Sequence, residues 1–583
     1  MKYRTNPLRR TVLLWICISQ AILGMTNGTQ VFGQDSARDV ESWYGILDAG
    51  SRHFRFLIEL EPKDGNWTGK LNSLDEGGQT FQLDGVIRDE SVFEFKIRVS
   101  AAHFTGMLDD GKTVVEGRWK QRSADLPLKL EKVDQAPAEP LRATWRGKVS
   151  ALLQKLELQF RELEDGSVYF DSVTQKVGGF VSTKSIDSDT VTFAVPGVQG
   201  TFEGKLDDTG EKMVGKWKQG AVSLDLVLER LEQPTADAAP NRPQMPKAPF
   251  PYTVTEIKFE NKQDGVMLAG SLTVPKGGTD KLPAVILVSG SGPQDRDETL
   301  MGHKPFWVLA DYFSRHGIAV LRYDDRGVGE STGSFETATS FEFASDAKAA
   351  LEFLSQHPRI DTKKLGVCGH SEGGYIAAMI AAERPDLAFI IMMAGPGVPG
   401  EFVLTSQMRL ILEAGGLEKE QVENQCNSQR ALIDLALKKP KLSEDEFIAQ
   451  AKDVIAKFQS GGETTEETLD AGARVAASQL RSPWFETFLV HDPAKDLQRV
   501  SCPVLALIGS KDLQVDPKLN LPAIEQALRK SPSKDFVVLE LPNLNHLFQN
   551  CETGLMQEYA EIEETIDAGA LARMKDWILK QTR

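Results

Sequence analysis

"LGVCGHSEGGYIAAMIAAERP", Leu365 to Pro385, sets a serine between glycines where an apolar run gives way to a helical one. The first part reads as a buried strand and the second as a helix. Gly369-His370-Ser371-Glu372-Gly373 fits G-x-S-x-G in the strand–turn–helix setting that this motif requires. Gly369 and Gly373 leave room for a tight corner and for close approach of the helix to the strand. Ser371 then has two readings: a nucleophile lifted out of the strand end, or a serine that only caps the helix. The first makes demands on the rest of the chain. A serine hydroxyl needs a base beside it, a group that orients the base, and N–H donors for the developing oxyanion.

Each requirement has a candidate. The strand "VLALIGS" runs into "KDLQVDP", which offers Asp512 and Asp516; Asp512 follows the strand directly and is the preferred acid, with a turn or capping role as the alternative for either. After the next strand, "DFVVLELP", comes "NLNHLF" with His546. It is the one histidine of eight beyond the acid, and is read as the general base rather than a surface-loop histidine. The expected oxyanion donors are the backbone N–H groups of Glu372 and of Ser291, the latter between Gly290 and Gly292 after the strand "AVILVSG"; an ordinary glycine turn is the alternative.

Around these residues, from about 253 to 583, strand-like runs such as "PAVILVSG" and "IAVLRYDD" alternate with amphipathic helical stretches such as "FASDAKAALEFLSQHP". Near-continuous apolar strands between helices predict an α/β domain with a mainly parallel sheet covered on both faces. The alternation stops at about 400 and resumes at "CPVLALIGS". The helical patterns between about 400 and 490 are expected to form a cap over the end of the sheet. Trp484 and Phe485 in "SPWFETF" either line an acyl pocket or anchor that cap.

Upstream, residues 40 to 232 alternate apolar and polar positions in short runs separated by Asp/Gly turns, the pattern of antiparallel strands with one buried face. "FTGMLDDGKTVVEGRWKQ" from Phe104 is echoed by "FEGKLDDTGEKMVGKWKQ" from Phe202, and "WYG" at Trp43 by "WRG" at Trp145. Two repeated all-β modules, 34–135 and 136–232, account for this. Trp119 and Trp217 at matching positions are core residues or, in the alternative, platforms giving the modules a glycan contact. The stretch 233–252, with six prolines, reads as a semi-extended linker.

The first 33 residues carry four basic side chains and no acid around a short apolar stretch, the pattern of a secretory signal peptide cleaved before Gln34, with Gly24 as a second candidate site. An exported protein, periplasmic or extracellular, is expected; an uncleaved N-terminal anchor is the alternative. Cleavage leaves 63 basic against 83 acidic residues, a formal charge of −20 that argues against a nucleic-acid partner. No other apolar run approaches membrane-spanning length. With no CxxC and no Cys/His cluster at zinc-ligand spacing, neither a disulfide framework nor a metal is indicated, and no cofactor is expected.

With Ser371, Asp512 and His546 in that order, the region 253–583 resembles the α/β-hydrolase superfamily. "RYDDRGVGES" is similar to a segment these enzymes carry after the fourth strand, which implies structural roles for Asp325 and Arg326. "DGVMLAGSLTVP", "SGSGPQDRDE", "SPWFETFLVHDPAKDL" and "IGSKDLQV" extend the resemblance to bacterial secreted carboxylesterases and serine aminopeptidase-like hydrolases. In that subgroup the oxyanion loop usually opens His-Gly; here Ser289 stands in place of the histidine. Asp295, Arg296 and Asp297 are expected to fix their own loop, with binding of a polar substrate group as the alternative. The expectation is an exported serine hydrolase acting on small-molecule carboxylic esters. A peptidase on the same triad, or a non-catalytic surface binding protein using the β modules, are the alternatives.

Overall fold

The computed structural model describes residues 40–583 apart from 64, 77–78, 98–101, 122–123, 152–153, 176, 220–221, 232–240, 279, 439–441 and 459–465. The proposed signal peptide and residues 233–240 of the proposed linker lie outside the described residues. The chain divides into two compact units, with the boundary in the sequence near residue 239.

In the N-terminal unit, alternating patterns become two antiparallel sheets. The first has nine strands between Glu41 and Val133, and its first strand, Glu41–Asp48, pairs with both His53–Lys63 and Ala124–Val133. The second closes into an eight-stranded barrel because Leu141–Ala151 pairs with Val222–Leu231. Inward-facing positions supply each core: Trp43, Phe93, Phe95 and Phe104 in one, Phe160, Phe193 and Phe202 in the other. Trp119 lies directly across from Phe104, and Trp217 across from Phe202. Both tryptophans are 4% exposed, so their faces pack the core and do not form a platform for sugars. Arg161 of the barrel reaches Asp75 of the first sheet at 3.2 Å, with Asp171 and Glu139 also against its guanidinium.

The C-terminal unit holds an eight-stranded sheet: β1 (Tyr252–Asn261), β2 (Val266–Pro275), β3 (Leu282–Val288), β4 (Ala319–Tyr323), β5 (Ile360–His370), β6 (Phe389–Met393), β7 (Val504–Gly509) and β8 (Phe536–Leu541). Their order is β1-β2-β4-β3-β5-β6-β7-β8. The hairpin β1–β2 joins β4 antiparallel, and every later pairing is parallel. The strands are apolar throughout because helices cover both faces. On β3, Ala284, Ile286 and Val288 face one core, and Val285 and Leu287 the other. The first core is roofed by α2 (Ser340–Ser355), α3 (Glu372–Glu383) and α10 (Pro517–Leu528), the second by α1 (Pro305–Arg315) and α12 (Ala568–Gln581). Between β6 and β7 run α4 (Gly400–Ala414), α5 (Lys419–Lys438), α6 (Glu444–Phe458), α7 (Glu466–Leu480), α8 (Pro483–Val490) and α9 (Pro493–Leu497), with an apolar cluster of their own built on Leu432, Phe447 and Ala473. No helix of the described residues is long and apolar enough to cross a membrane.

The described half of the proline-rich stretch is not a free spacer. The Arg242 guanidinium donates to the carbonyls of Met301, Ala560 and Ile562, and the Gln244 amide exchanges hydrogen bonds with Thr565 and Ile566. Prolines removed backbone donors from that stretch, but these two polar side chains pin it to the α/β unit.

The same corner contains His303. Its Nε2 lies 2.8 Å from the Tyr559 carbonyl, in α11 (Met556–Glu561), and 3.0 Å from the Gln549 amide nitrogen, and its Nδ1 lies 2.9 Å from the Thr565 hydroxyl. Burial pushes its pKa down to about 4. Between that value and the ordinary 6.5 the unfolded chain binds the proton and the folded chain does not, so stability is full above about 6.5 and falls as the pH drops towards 4. The loss is roughly 3 kcal/mol at most. Hydrogen-exchange protection of 556–567 is therefore expected to weaken on acidification from neutral pH to about pH 4.5, and to weaken less in His303→Gln. An equal loss in both proteins would contradict this role.

Candidate functional site

At the end of β5 the chain enters α3 through Ser371, whose φ of 52° and ψ of −118° lie outside the regions comfortable for a side-chain-bearing residue. The corner is held from both sides: the Ser371 N–H donates to Met393 O at 2.8 Å, and Gly374 N–H to Ser371 O at 2.9 Å. A Cβ on Gly369 would collide with the Gly373 carbonyl, and one on Gly373 with the Val288 and Ser289 carbonyls. The two glycines of the motif therefore let β5, α3 and the end of β3 meet. Ser371 stands at the N-cap position, yet its side chain makes no capping bond.

Asp512 and His546 come from the two loops after β7 and β8. Asp512 Oδ2 meets His546 Nδ1 at 2.8 Å, while its Oδ1 accepts the N–H groups of Gln514 and Val515. Both side chains are buried. Asp516 is elsewhere, capping α10 through Lys518 N–H. The histidine loop is shaped by Asn545, whose Oδ1 accepts from Leu547 and Gln549 N–H, and it runs so close to Gly509 that a Cβ there would strike the Leu544 carbonyl. The His546 ring lies 4.8 Å from that of His370, the residue preceding Ser371. The three sequence candidates thus follow the C-terminal ends of β5, β7 and β8, with β6 between the first two.

The loop after β3 passes over the serine: a Cβ on Gly290 would come 3.1 Å from Ser371 Cβ. Gly290 N–H donates to Glu298 Oε1 at 2.8 Å. Ser289, standing where a histidine was expected, donates its hydroxyl to Asp325, which also accepts Gln294 N–H. The "QDRDE" charges turn inward on the protein: Asp295 accepts from Thr299 and Asp297 N–H, Arg296 grips Asp324 and Glu256, and Asp297 pairs with Lys304 and Arg322. Arg326 is held by Asp346 and Asp264.

Glu372 contributes more than its backbone. Its carboxylate is buried and accepts from Ser340, Tyr375 and, at 2.8 Å, the Trp484 indole N–H of α8. Burial pushes its pKa up, and these neutral donors only partly oppose that. Asp325 is likewise pushed well above the usual carboxylate range by burial, with Glu372 and Asp346 nearby. Trp484 stacks on Phe488 at 4.8 Å and packs against the sheet-side core. No short-range pattern marks the Glu372 side chain or Glu298, since their partners lie 112 and 72 residues away. Among the described residues no group of three or more His, Cys, Asp or Glu has the arrangement to hold a metal ion.

Residues 264–535 match the X-Pro dipeptidyl-peptidase (S15) family. Esterase EstD of Thermotoga maritima is 30% identical over 334 residues, which cover 57% of this chain and 70% of that protein. Thiohydrolase apmlB of Arthrinium phaeospermum is 25% identical over 281 residues, 44% of this chain and 85% of the other. Among solved structures, the α/β hydrolase GrgF from Penicillium sp. sh18 aligns with a TM-score of 0.35 and 16% identity over 57% of this chain and 99% of its own. The chain belongs to the α/β-hydrolase family, in the esterase-like group that includes EstD.

Removing the Glu372 carboxylate leaves the part-buried Trp484 indole N–H without its acceptor and leaves Ser340 and Tyr375 only each other. Glu372→Ala is expected to cost about 1–3 kcal/mol and to raise hydrogen exchange across Pro483–Val490. Glu372→Gln, which keeps an oxygen for Trp484, is expected to retain that protection. Unchanged exchange in Glu372→Ala would contradict the link.

Proposed function

We propose that the protein is an exported serine esterase that cleaves carboxylic esters through an acyl-enzyme on Ser371. The observation that carries this reading is the buried Asp512–His546 hydrogen bond at 2.8 Å, one ring contact away from the residue that precedes a strained, uncapped serine. His546 takes the hydroxyl proton as Ser371 attacks the ester carbonyl, then gives it to the departing alcohol. Water repeats the step in reverse order to release the acid. Asp512 holds the imidazole tautomer and stabilises the imidazolium without itself taking the proton.

The oxyanion faces the Glu372 N–H, which opens α3 and so belongs to the helix's unsatisfied first turn, and the Ser291 N–H. Gly290 N–H is already committed to Glu298, so the next amide of that loop is assigned the task. The helices between β6 and β7 act as a cap, anchored through Trp484 on Glu372, and set the chain length accepted. The two N-terminal sheets are read as copies of one module, because the echoed sequences supply the same Phe–Trp cross-strand pair.

The family match to S15 enzymes keeps a peptidase as the second reading. The esterase is favoured because the carboxylates beside the serine are engaged inward: Glu372 with Trp484, Asp325 with Ser289, Glu298 with Gly290 and His370. A substrate ammonium would have to displace those donors.

The test is turnover of p-nitrophenyl esters from acetate to laurate against aminoacyl p-nitroanilides. The mature protein is expected to hydrolyse esters with a dependence on acyl length. In Ser371→Ala that rate should fall by roughly 10³-fold or more, and anilides should stay near background. Ser371-dependent anilide turnover that exceeds ester turnover would overturn the esterase in favour of the peptidase.

A further inference from the structure

His370, inside the motif, and Glu298, in the loop after β3, form a second carboxylate–histidine pair that the reaction above does not use. His370 Nδ1 lies 2.8 Å from Glu298 Oε1, and His370 Nε2 lies 3.0 Å from the backbone carbonyl of His546. Glu298 Oε1 also accepts Gly290 N–H. Both side chains are buried, at 6% and 5% exposure. Three chain segments therefore converge on the pair: the loop that supplies Ser291, the strand end that carries Ser371, and the peptide of His546.

A carbonyl oxygen only accepts, so Nε2 must carry a proton. The pair then shares one further proton between Nδ1 and Glu298. Glu298 Oε1 already accepts the Gly290 N–H, an arrangement that favours the carboxylate, so that proton is assigned to the ring. We infer that His370 and Glu298 form a permanent imidazolium–carboxylate clamp that positions the oxyanion loop and the general base relative to Ser371. They are positioning residues for the esterase proposed above, and the inference rests on that reading.

The surroundings agree. Burial alone would push His370 down, but Glu298, the His546 carbonyl and Asp512 together hold it above the ordinary histidine value. The groups facing the ring are Glu298, His546 and, farther off, Asp512; Cys368 lies two residues back on the same strand, pushed up by burial and by Glu298. The clamp also explains why a second charged ring is tolerated 4.8 Å from His546, which becomes an imidazolium during turnover. Glu298 offsets the standing charge on His370, so the transient charge on His546 is not opposed by an uncompensated neighbour. Neutral side chains at both positions could fill the same space but would not draw the Gly290 amide and the His546 carbonyl towards one charged centre.

The test reads the ring directly. In full-length protein with isotope-labelled histidine, NMR of the imidazole nitrogens is expected to show both His370 nitrogens still protonated at a pH where an ordinary histidine has lost its second proton. In Glu298→Gln the same ring is expected to be singly protonated at that pH. Glu298→Gln and His370→Gln are expected to lower kcat by on the order of 10- to 100-fold with KM changed little, as misplaced catalytic groups do. A singly protonated His370 in the parent protein, or a doubly protonated ring with kcat unchanged in both variants, would overturn the clamp. The ring state does not require turnover, so a failure of the esterase reading, seen as no Ser371-dependent ester hydrolysis, is distinguished from a failure of the clamp.

Discussion

The site depends on one backbone constraint, the positive φ of Ser371. A serine held at φ 52° costs free energy, and the fold must over-determine it. It does so by crowding: Gly369 against Gly373, Gly373 against the end of β3, and Gly374 against Gly395 leave no space in which the corner could relax. Each contact needs the absence of a side chain. The strain is thus stabilised by the packing of the central parallel strands, and the serine hydroxyl is kept from the capping bond that would otherwise occupy it.

The same crowding buries several carboxylates within one small region, and their partners sort them. Asp512 and Glu298 each face an imidazole nitrogen at 2.8 Å. Glu372 and Asp325 face only hydroxyl, amide and indole donors, and burial pushes both acids up. An isolated carboxylate in a dry interior is costly, so each is met by at least two donors. The result separates contacts that a single acidic residue could not combine: meeting His546, tying loops together and fastening α8.

Much of this was legible in the sequence because it depends on short-range pattern. The strand–turn–helix around Ser371, the acid after β7 and the histidine after β8 follow chain order, and the alternation of apolar strands with helices identifies the doubly covered sheet. The choice between Asp512 and Asp516 turned on distance from the strand end, and the structure places Asp516 at a helix cap. What the sequence did not show is long-range. Nothing in "QDRDE" reveals that Glu298 reaches His370, and nothing in the motif reveals that Glu372 takes Trp484. The repeated "RWKQ" and "KWKQ" segments disclose inward tryptophans, but not that the second sheet closes on itself, since closure depends on pairing strands about 80 residues apart. The proline-rich stretch misled for a related reason: composition reports missing donors, whereas Arg242 and Gln244 dock by side chain.

The central claim is that Ser371 is an activated nucleophile whose base is His546. Its most direct measurement is mass spectrometry of the intact and digested protein after treatment with a fluorophosphonate. A single adduct on the peptide carrying Ser371, formed rapidly in the parent protein and at least about a hundredfold more slowly in His546→Ala, is the result this account predicts. Labelling at another serine, or labelling of Ser371 at the same rate without His546, would contradict it.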